Sequence, residues 1–234
     1  MQDVQVVLLS LYPTPQAMIP APPFHFAICN ALKSTQVLYP DELALIKNTS
    51  DKRQNDFCAG RYCAHRIVKE LGFAEYPLLN DANGAPIWPK TIVGSISHSG
   101  NMAVAVAATT QQIRSVGVDI QEYKQPFPSR VLRSVFSSKE IYAILKVQTS
   151  LMDIYAYSVF SAKESVFKCC YSAFGRLLNF TDISININFE EGSFYAYTSA
   201  DMGENKLNKL AFKGRISFDN LYVTSIVWLE TGQK

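Results

Sequence analysis

Two long helical patterns, each closed by a glycine and each followed by short β-type runs, constrain this chain more than any other feature. From Ser50 to Leu71 the apolar residues Phe57, Ala64, Val68 and Leu71 share one face, Ser50 stands where a cap belongs, and Gly72 ends the run. A second helix is predicted from Met152 to Ala173, with Gly175 as its stop, and Ser137-Ser138-Lys139-Glu140 reads as a capping box for a shorter one. After the first helix come runs at Ile92 to Ser97, Met102 to Ala108 and Ile113 to Ile120. After the second come Ile183 to Phe189, Phe194 to Thr198, Leu210 to Phe218 and Leu221 to Leu229, joined at Glu191-Gly192 and Asp219-Asn220. Helices of this length bury an apolar stripe against another layer, and short strands with tight turns pair antiparallel. The order predicts an α+β fold. Its two halves, residues 1–118 and 119–234, are expected to form two similar lobes, each a helix packed on a small antiparallel sheet, with a ligand cleft between them. Val4 to Leu9 reads as an additional first strand, followed by a Pro-rich loop reaching Phe24.

Composition narrows the classes. A chain of 234 residues with 48% hydrophobic and 18% charged residues has ample material for a core and is not disordered. The formal net charge is only +2, and each half carries +1, so the chain is not a binder that gains its affinity by neutralising many nucleic-acid phosphates. Any anion must be met by a local site. Cys29, Cys58, Cys63, Cys169 and Cys170 are odd in number and form no C-x-x-C pair, which argues against a zinc site or disulfide framework and for a reducing cytoplasm. Residues 4–32 hold no Asp, Glu, Lys or Arg, but five prolines from Pro13 to Pro23 break the stretch, so no membrane span is expected there.

Three segments carry candidate chemistry. Inside the second helix, Phe160-Ser161-Ala162-Lys163-Glu164-Ser165-Val166-Phe167-Lys168 places Glu164 and Lys168 four apart on one face, the spacing of an ordinary salt bridge. Val116-Gly117-Val118-Asp119-Ile120-Gln121 delivers a carboxylate and an amide to the same side of one strand. Two oxygen ligands on a strand, with a carboxylate from a helix over it, suit Mg²⁺, which takes few protein carboxylates and completes its shell with water and phosphate. Gly94-Ser95-Ile96-Ser97-His98-Ser99-Gly100 reads as a turn whose small residues and N–H groups can approach an anion. No G-x-S-x-G, Walker A, G-x-G-x-x-G or H-E-x-x-H is present, which removes the usual support for hydrolase, P-loop, dinucleotide-binding and zincin readings.

Taken together, these segments resemble the 4′-phosphopantetheinyl transferase superfamily. The signature pairs Gly117-Val118-Asp119 with the helix around Lys163-Glu164, and Asp119 and Glu164 are 45 residues apart. Arg53-Gln54-Asn55-Asp56-Phe57-Cys58-Ala59-Gly60-Arg61, Pro86-Ile87-Trp88-Pro89 and the Gly-Ser-Ile-Ser-His-Ser run resemble the long, Sfp-type branch, particularly its enterobactin synthetase component D-like group. The resemblance implies a monomeric pseudo-dimer that binds coenzyme A as substrate and moves its 4′-phosphopantetheine arm onto a serine of an acyl, aryl or peptidyl carrier protein, releasing 3′,5′-ADP. It implies Mg²⁺ held by Asp119 and Glu164, with Gln121 as the third ligand either directly or through a water, and Glu164 also helping to deprotonate the serine. It further implies Lys163 and Lys168 on phosphate, Arg53, Arg61 and His98 around the 3′-phosphate, and Ser97 near the pyrophosphate. Asn83, Gly84 and Trp88 would lie near the adenine. The 3′-phosphate and adenine side is thereby assigned to residues 1–118, and the metal and catalytic helix to 119–234.

One residue departs from the pattern: many Sfp-type members carry Glu where this chain has Gln121, so the expected site has one less negative charge. Two other classes remain open from the sequence, a Mg²⁺-dependent phosphoester hydrolase using the same residues and a non-catalytic coenzyme A- or carrier-binding module. Basic residues Arg130, Arg133, Lys139 and Lys146 are candidates to meet an acidic carrier protein, or are plain surface. The pathway, whether siderophore, nonribosomal peptide, polyketide or fatty acid synthesis, is not written in the sequence.

Overall fold

The computed structural model describes residues 23–30, 34–198 and 211–232, so the strand expected at Val4 to Leu9 lies outside the described residues. Among the described residues, five α-helices and eight strands follow in chain order: β1 (His25–Asn30), α1 (Pro40–Ala44), α2 (Asp51–Glu70), β2 (Ile92–Ser99), β3 (Met102–Thr109), β4 (Ile113–Glu122), α3 (Leu132–Val135), α4 (Ser138–Lys146), α5 (Met152–Phe174), β5 (Ile183–Asn188), β6 (Ser193–Thr198), β7 (Ala211–Phe218) and β8 (Tyr222–Glu230). This is the expected α+β class. The strands form two antiparallel sheets, β1-β3-β2 and β4-β8-β7-β6-β5.

Local chemistry sets the helix ends as the sequence suggested. The Ser50 hydroxyl accepts from Arg53 N at the start of α2, Ser137 and Glu140 close a capping box on α4, and Gly175 ends α5 with φ +65°. Three elements were not expected, one of them the single-turn helix α3. The segment after the Pro-rich loop becomes edge strand β1, and Pro40 at the first position of α1 starts a short helix that carries Glu42.

α2 lays Cys63, Ala64, Ile67 and Val68 on one face of the first sheet, against Ala27, Ala105 and Ala107. Fully burying an aliphatic side chain of this size contributes about 1.5 to 3 kcal/mol. α5 packs Ala162, Val166, Cys169 and Cys170 on the second sheet, against Phe194, Phe212, Val223 and Val227. Between the sheets, Val104, Val106 and Ala108 of β3 meet Val116, Val118 and Ile120 of β4 and Ile226 of β8. The layers are therefore helix, sheet, sheet, helix.

Expected beside the two strands that precede it, β4 instead pairs along its length with β8, from Ile113 opposite Glu230 to Glu122 opposite Tyr222. The reason lies on its other edge. β2 runs alongside β4 without forming a backbone ladder, and three serines bridge the gap: Val118 N donates to Ser95 Oγ at 3.1 Å, Ile120 N to Ser97 Oγ at 3.4 Å and Glu122 N to Ser99 Oγ at 2.9 Å. The strand expected at Ile92 to Ser97 runs on to Ser99, so of the Gly94 to Gly100 run read as an anion-approaching turn only Gly100, at φ +56°, lies in the turn, with Asn101. Serines at period two lie on one side of a strand, so each meets an N–H that β4 leaves unpaired. No described helix is long and apolar enough to cross a membrane.

Candidate active site

β4 alternates its faces. Val116, Val118 and Ile120 point into the core between the sheets, which leaves Ser115, Gly117 and Asp119 toward α5. Ser115 Oγ donates to Cys169 O at 2.7 Å. A Cβ on Gly117 would lie 1.9 Å from Ser165 O and 2.8 Å from Cys169 N, so only glycine lets the strand and helix backbones approach this closely. That contact holds Asp119 against the helical turn bearing Glu164 and Lys168.

Asp119 is 1% exposed, and both of its oxygens are engaged. Oδ1 accepts from Lys168 Nζ at 2.7 Å and from Ser97 Oγ at 2.8 Å, while Oδ2 accepts from Gln121 Nε2 at 2.9 Å. Lys168 also donates to Ser97 Oγ at 2.9 Å and to Val118 O at 3.1 Å. Ser97 therefore belongs to the carboxylate network as well as to the seam between the sheets.

Glu164 stands beside this group. Burial, and next the Asp119 charge, push its carboxyl up to about 7, while Lys168 opposes the shift. An Asp119 carboxylate paired with the Lys168 ammonium, beside a second carboxyl poised near neutrality, forms a donor set whose ionised form a divalent cation would favour. Among the described residues, no group of three or more His, Cys, Asp and Glu gathers at metal-binding distance, and the third expected ligand, Gln121, is an amide. The residues present fit a Mg²⁺ that takes most of its oxygens from water and phosphate.

Four other expected residues divide evenly. Arg53 Nη1 lies 3.5 Å from His98 Nε2, and His98 Nδ1 lies 3.5 Å from Asp56 Oδ2, so the structure brings Arg53 and His98 together. Burial lowers the proton affinity of His98, Asp56 offsets part of that, and Arg53 and Lys168 lower it further. Arg61 does not join them. It is 5% exposed, donates to Leu78 O at 2.9 Å and Asn80 Oδ1 at 2.6 Å, and stands 3.5 Å from the fully buried Glu42, which also bonds His65 Nε2 at 2.8 Å. Desolvation lowers its pKa to about 10. Arg61 ties α2 to α1 and to the following loop instead of presenting charge to a phosphate. Lys163 departs from expectation in the same way: it is fully buried, and its ammonium donates to Glu140 Oε2 at 2.7 Å, Val135 O at 2.8 Å and Phe180 O at 2.9 Å. A helix turns 100° per residue, so adjacent Lys163 and Glu164 face different directions, and Lys163 anchors α4 to α5.

A cleft of about 680 Å³ opens between α5 and the loop after α2, lined among others by Asn83, Gly84, Trp88, Lys168 and Tyr171. Trp88 packs against β2 where Gly94 leaves room, since a Cβ there would lie 2.5 Å from the indole. Its Nε1 is buried without an acceptor among the described residues. Arg53 and His98 are not part of this lining. Sequence reasoning missed Tyr171 and Asp81: Tyr171 Oη donates to Asp81 Oδ2 at 2.6 Å and accepts from Asn83 Nδ2 at 2.8 Å. The available signal was position, because Tyr171 falls seven residues after Glu164 and three after Lys168, on their helical face.

A two-sheet α+β chain with a strand aspartate facing a helical glutamate and lysine over such a cleft defines a narrow class, and sequence comparison places it. The model of the 4′-phosphopantetheinyl transferase N-terminal domain matches residues 41–108, and that of the 4′-phosphopantetheinyl transferase superfamily matches residues 115–223. The 4′-phosphopantetheinyl transferase Svp of Streptomyces mobaraensis is 32% identical over 195 residues, covering 81% of this chain and 78% of that one. Npt of Nocardia iowensis, with the same activity name, is 33% identical over 155 residues, 66% of this chain and 68% of its own. Enterobactin synthase component D of Escherichia coli K12 is 29% identical over 132 residues, 56% of this chain and 62% of its own. A solved holo-(acyl-carrier-protein) synthase from Bacillus anthracis is 19% identical with a TM-score of 0.40, covering 52% of this chain and 99% of that one. The chain belongs to the 4′-phosphopantetheinyl transferase superfamily.

Proposed function

We propose that this transferase moves the 4′-phosphopantetheine arm of coenzyme A onto a serine of an acyl, aryl or peptidyl carrier protein, with Asp119, Glu164 and Lys168 as the acting residues. The observation that carries this assignment is the convergence of Asp119, Lys168 and Glu164 on one place, with Lys168 Nζ 2.7 Å from Asp119 Oδ1 and the half-buried Glu164 carboxyl beside them raised to about 7. A carboxyl with that proton affinity accepts a serine proton at neutral pH and releases it afterwards. The serine oxygen then bonds to the phosphorus carrying the pantetheine arm, the phosphoanhydride bond breaks, and 3′,5′-ADP leaves with the electron pair.

Phosphoryl transfer needs positioning and charge neutralisation more than covalent help. Mg²⁺ held by Asp119, Gln121 and Glu164 would neutralise pyrophosphate charge when bound. Lys168 sits where it can add a positive charge at the same place. Ser97 fixes Lys168 and Asp119 relative to each other, and Arg53 with His98 forms the basic group assigned to the 3′-phosphate. Asn83, Gly84 and Trp88 are assigned to the adenine side. On this reading residues 1–118 hold the nucleotide end and residues 119–234 the reacting end, and a single chain supplies both walls of the cleft. The five cysteines are free, which supports placing this transferase in a reducing cytoplasm.

The test is transfer of a fluorescent coenzyme A conjugate to a panel of apo carrier proteins. Labelling of a carrier serine by the wild type and its loss in Glu164→Ala are expected. Release of 3′,5′-ADP without any acceptor would instead identify a hydrolase, and coenzyme A binding without turnover a binding module.

A further inference from the structure

The Asp81–Tyr171–Asn83 chain fixes which end of an amide faces the cleft. Asp81 Oδ1 accepts from Asn83 N and Ala85 N, both at 2.9 Å, Gly84 N bonds Asp81 O at 3.0 Å, and Asp81 N bonds Ala85 O at 2.9 Å. Gly84, at φ +85°, completes a turn that holds its shape by its own bonds. Tyr171 adds something different. An ionised carboxylate accepts only, so the phenol proton is committed to Asp81. Accordingly the Asp81 carboxyl is held below its usual range, first by Tyr171, and the phenol is raised, first by Asp81. With its proton committed, Tyr171 Oη can only accept from Asn83, which obliges the Asn83 amide to turn its NH₂ inward at 2.8 Å. The amide oxygen of Asn83 is left as the acceptor on an exposed residue in the cleft lining.

The cleft is also mixed in chemistry. Its lining combines Lys168, adjoining Asp119, with Trp88 and the Asn83 turn, so a nucleotide whose phosphates are met by Lys168 would offer its base to the aromatic and amide residues. We propose that Tyr171 is a specificity-positioning residue, locking Asn83 so that its amide oxygen selects a base bearing an exocyclic amine over one bearing a carbonyl. The proposal rests on the coenzyme A reading above. A 6-aminopurine donates to that oxygen, whereas a 6-oxopurine opposes oxygen to oxygen. In Tyr171→Phe the constraint is gone and the amide rotates to suit either base.

The experiment compares 3′,5′-ADP with 3′,5′-IDP by calorimetry, and coenzyme A with its deaminated, hypoxanthine-containing analogue in carrier labelling. The wild type is expected to prefer the amino base by about five- to tenfold in Kd and in KM, the range of one hydrogen bond gained or opposed. Tyr171→Phe should cut the ratio to about twofold, with the thermal midpoint unchanged because the turn closes on itself. Asn83→Ala should remove the preference, and adding Tyr171→Phe to it should change nothing further. A wild type without preference, or a Tyr171→Phe variant that keeps it, overturns the proposal. Nucleotide binding is read without transfer, so a protein that discriminates the bases yet labels no carrier would sink the transferase reading alone. A protein that binds neither nucleotide would sink both.

Discussion

Lys168 Nζ lies 2.7 Å from Asp119 Oδ1, and that ion pair joins α5 to β4 at the point where Ser97 of β2 also arrives. Three separate elements thus converge on one carboxylate, which is buried by the contact. Glu164, one helical turn before Lys168, is left with the titratable part of the site.

Replacing Glu164 by Gln should lower carrier labelling by about 10²- to 10⁴-fold, the usual worth of a positioned general base, without loss of the fold. The pH dependence of stability has the sign opposite to that of a salt-bridged acid. The folded carboxyl titrates at about 7, above its unfolded value of 4.5, so between those limits the folded chain keeps a proton that the unfolded chain has released. In EDTA, the Glu164 contribution should be fully present below the unfolded pKa and fade as pH rises toward 7. Glu164→Gln should flatten that window in denaturant titrations at successive pH values. Mg²⁺ should move the acid limb of the wild-type rate profile to lower pH.

Lys163 and Lys168 both pair with a buried acid but should differ in their effect on labelling. Lys163→Met leaves Glu140 buried without its cation, a change expected to cost about 3 to 5 kcal/mol in chemical denaturation. Lys168→Ala should lower the labelling rate, since the side chain borders the cleft, and should also destabilise the fold, because it leaves the buried Asp119 carboxylate without its cation.

Gln121→Glu would put a third carboxylate where Gln121 Nε2 now donates to Asp119. In EDTA the variant should melt lower than the wild type, by a few degrees for about 1 kcal/mol of repulsion. Added Mg²⁺ should raise its midpoint more than it raises that of the wild type, while labelling persists. An equal Mg²⁺ effect on both proteins would argue that residue 121 does not face the cation.

Gly117→Ala should be among the most damaging small substitutions. Its methyl carbon would meet Ser165 O at 1.9 Å, a contact with backbone that no rotamer relieves. Overpacking of this kind costs about 1 to 3 kcal/mol, and the shift of β4 from α5 would also separate Asp119 from Glu164. A thermal midpoint within a degree of the wild type would show that the backbones can part freely.

Where the sequence alone was informative, it was through period and spacing. Both long helices, the capping box at Ser137 and the strands after α5 follow from apolar periodicity and turn residues, and the opposition of Asp119 to the Glu164 helix follows from the signature. Partnership was less legible. Nothing in Ile113 to Glu122 says that it pairs with a strand a hundred residues later, and the serines of β2 look like a polar turn until the unpaired N–H groups of β4 are placed beside them. Arg61 and Lys163 show the same gap: a long cation is equally at home on a phosphate or on buried Glu42 and Glu140, and only the fold brings those acids near.

The serine-bridged seam also bears on how the chain could be divided. The two family models meet close to β4, inviting expression of each half as a module. A fragment ending before β4 would bare Val104, Val106 and Ala108, and one starting there would expose an edge whose amides have lost Ser95, Ser97 and Ser99. Such an edge is a template for pairing between molecules. Either half made alone is therefore a candidate for inclusion bodies, and co-expression of the pair is the natural route to soluble material.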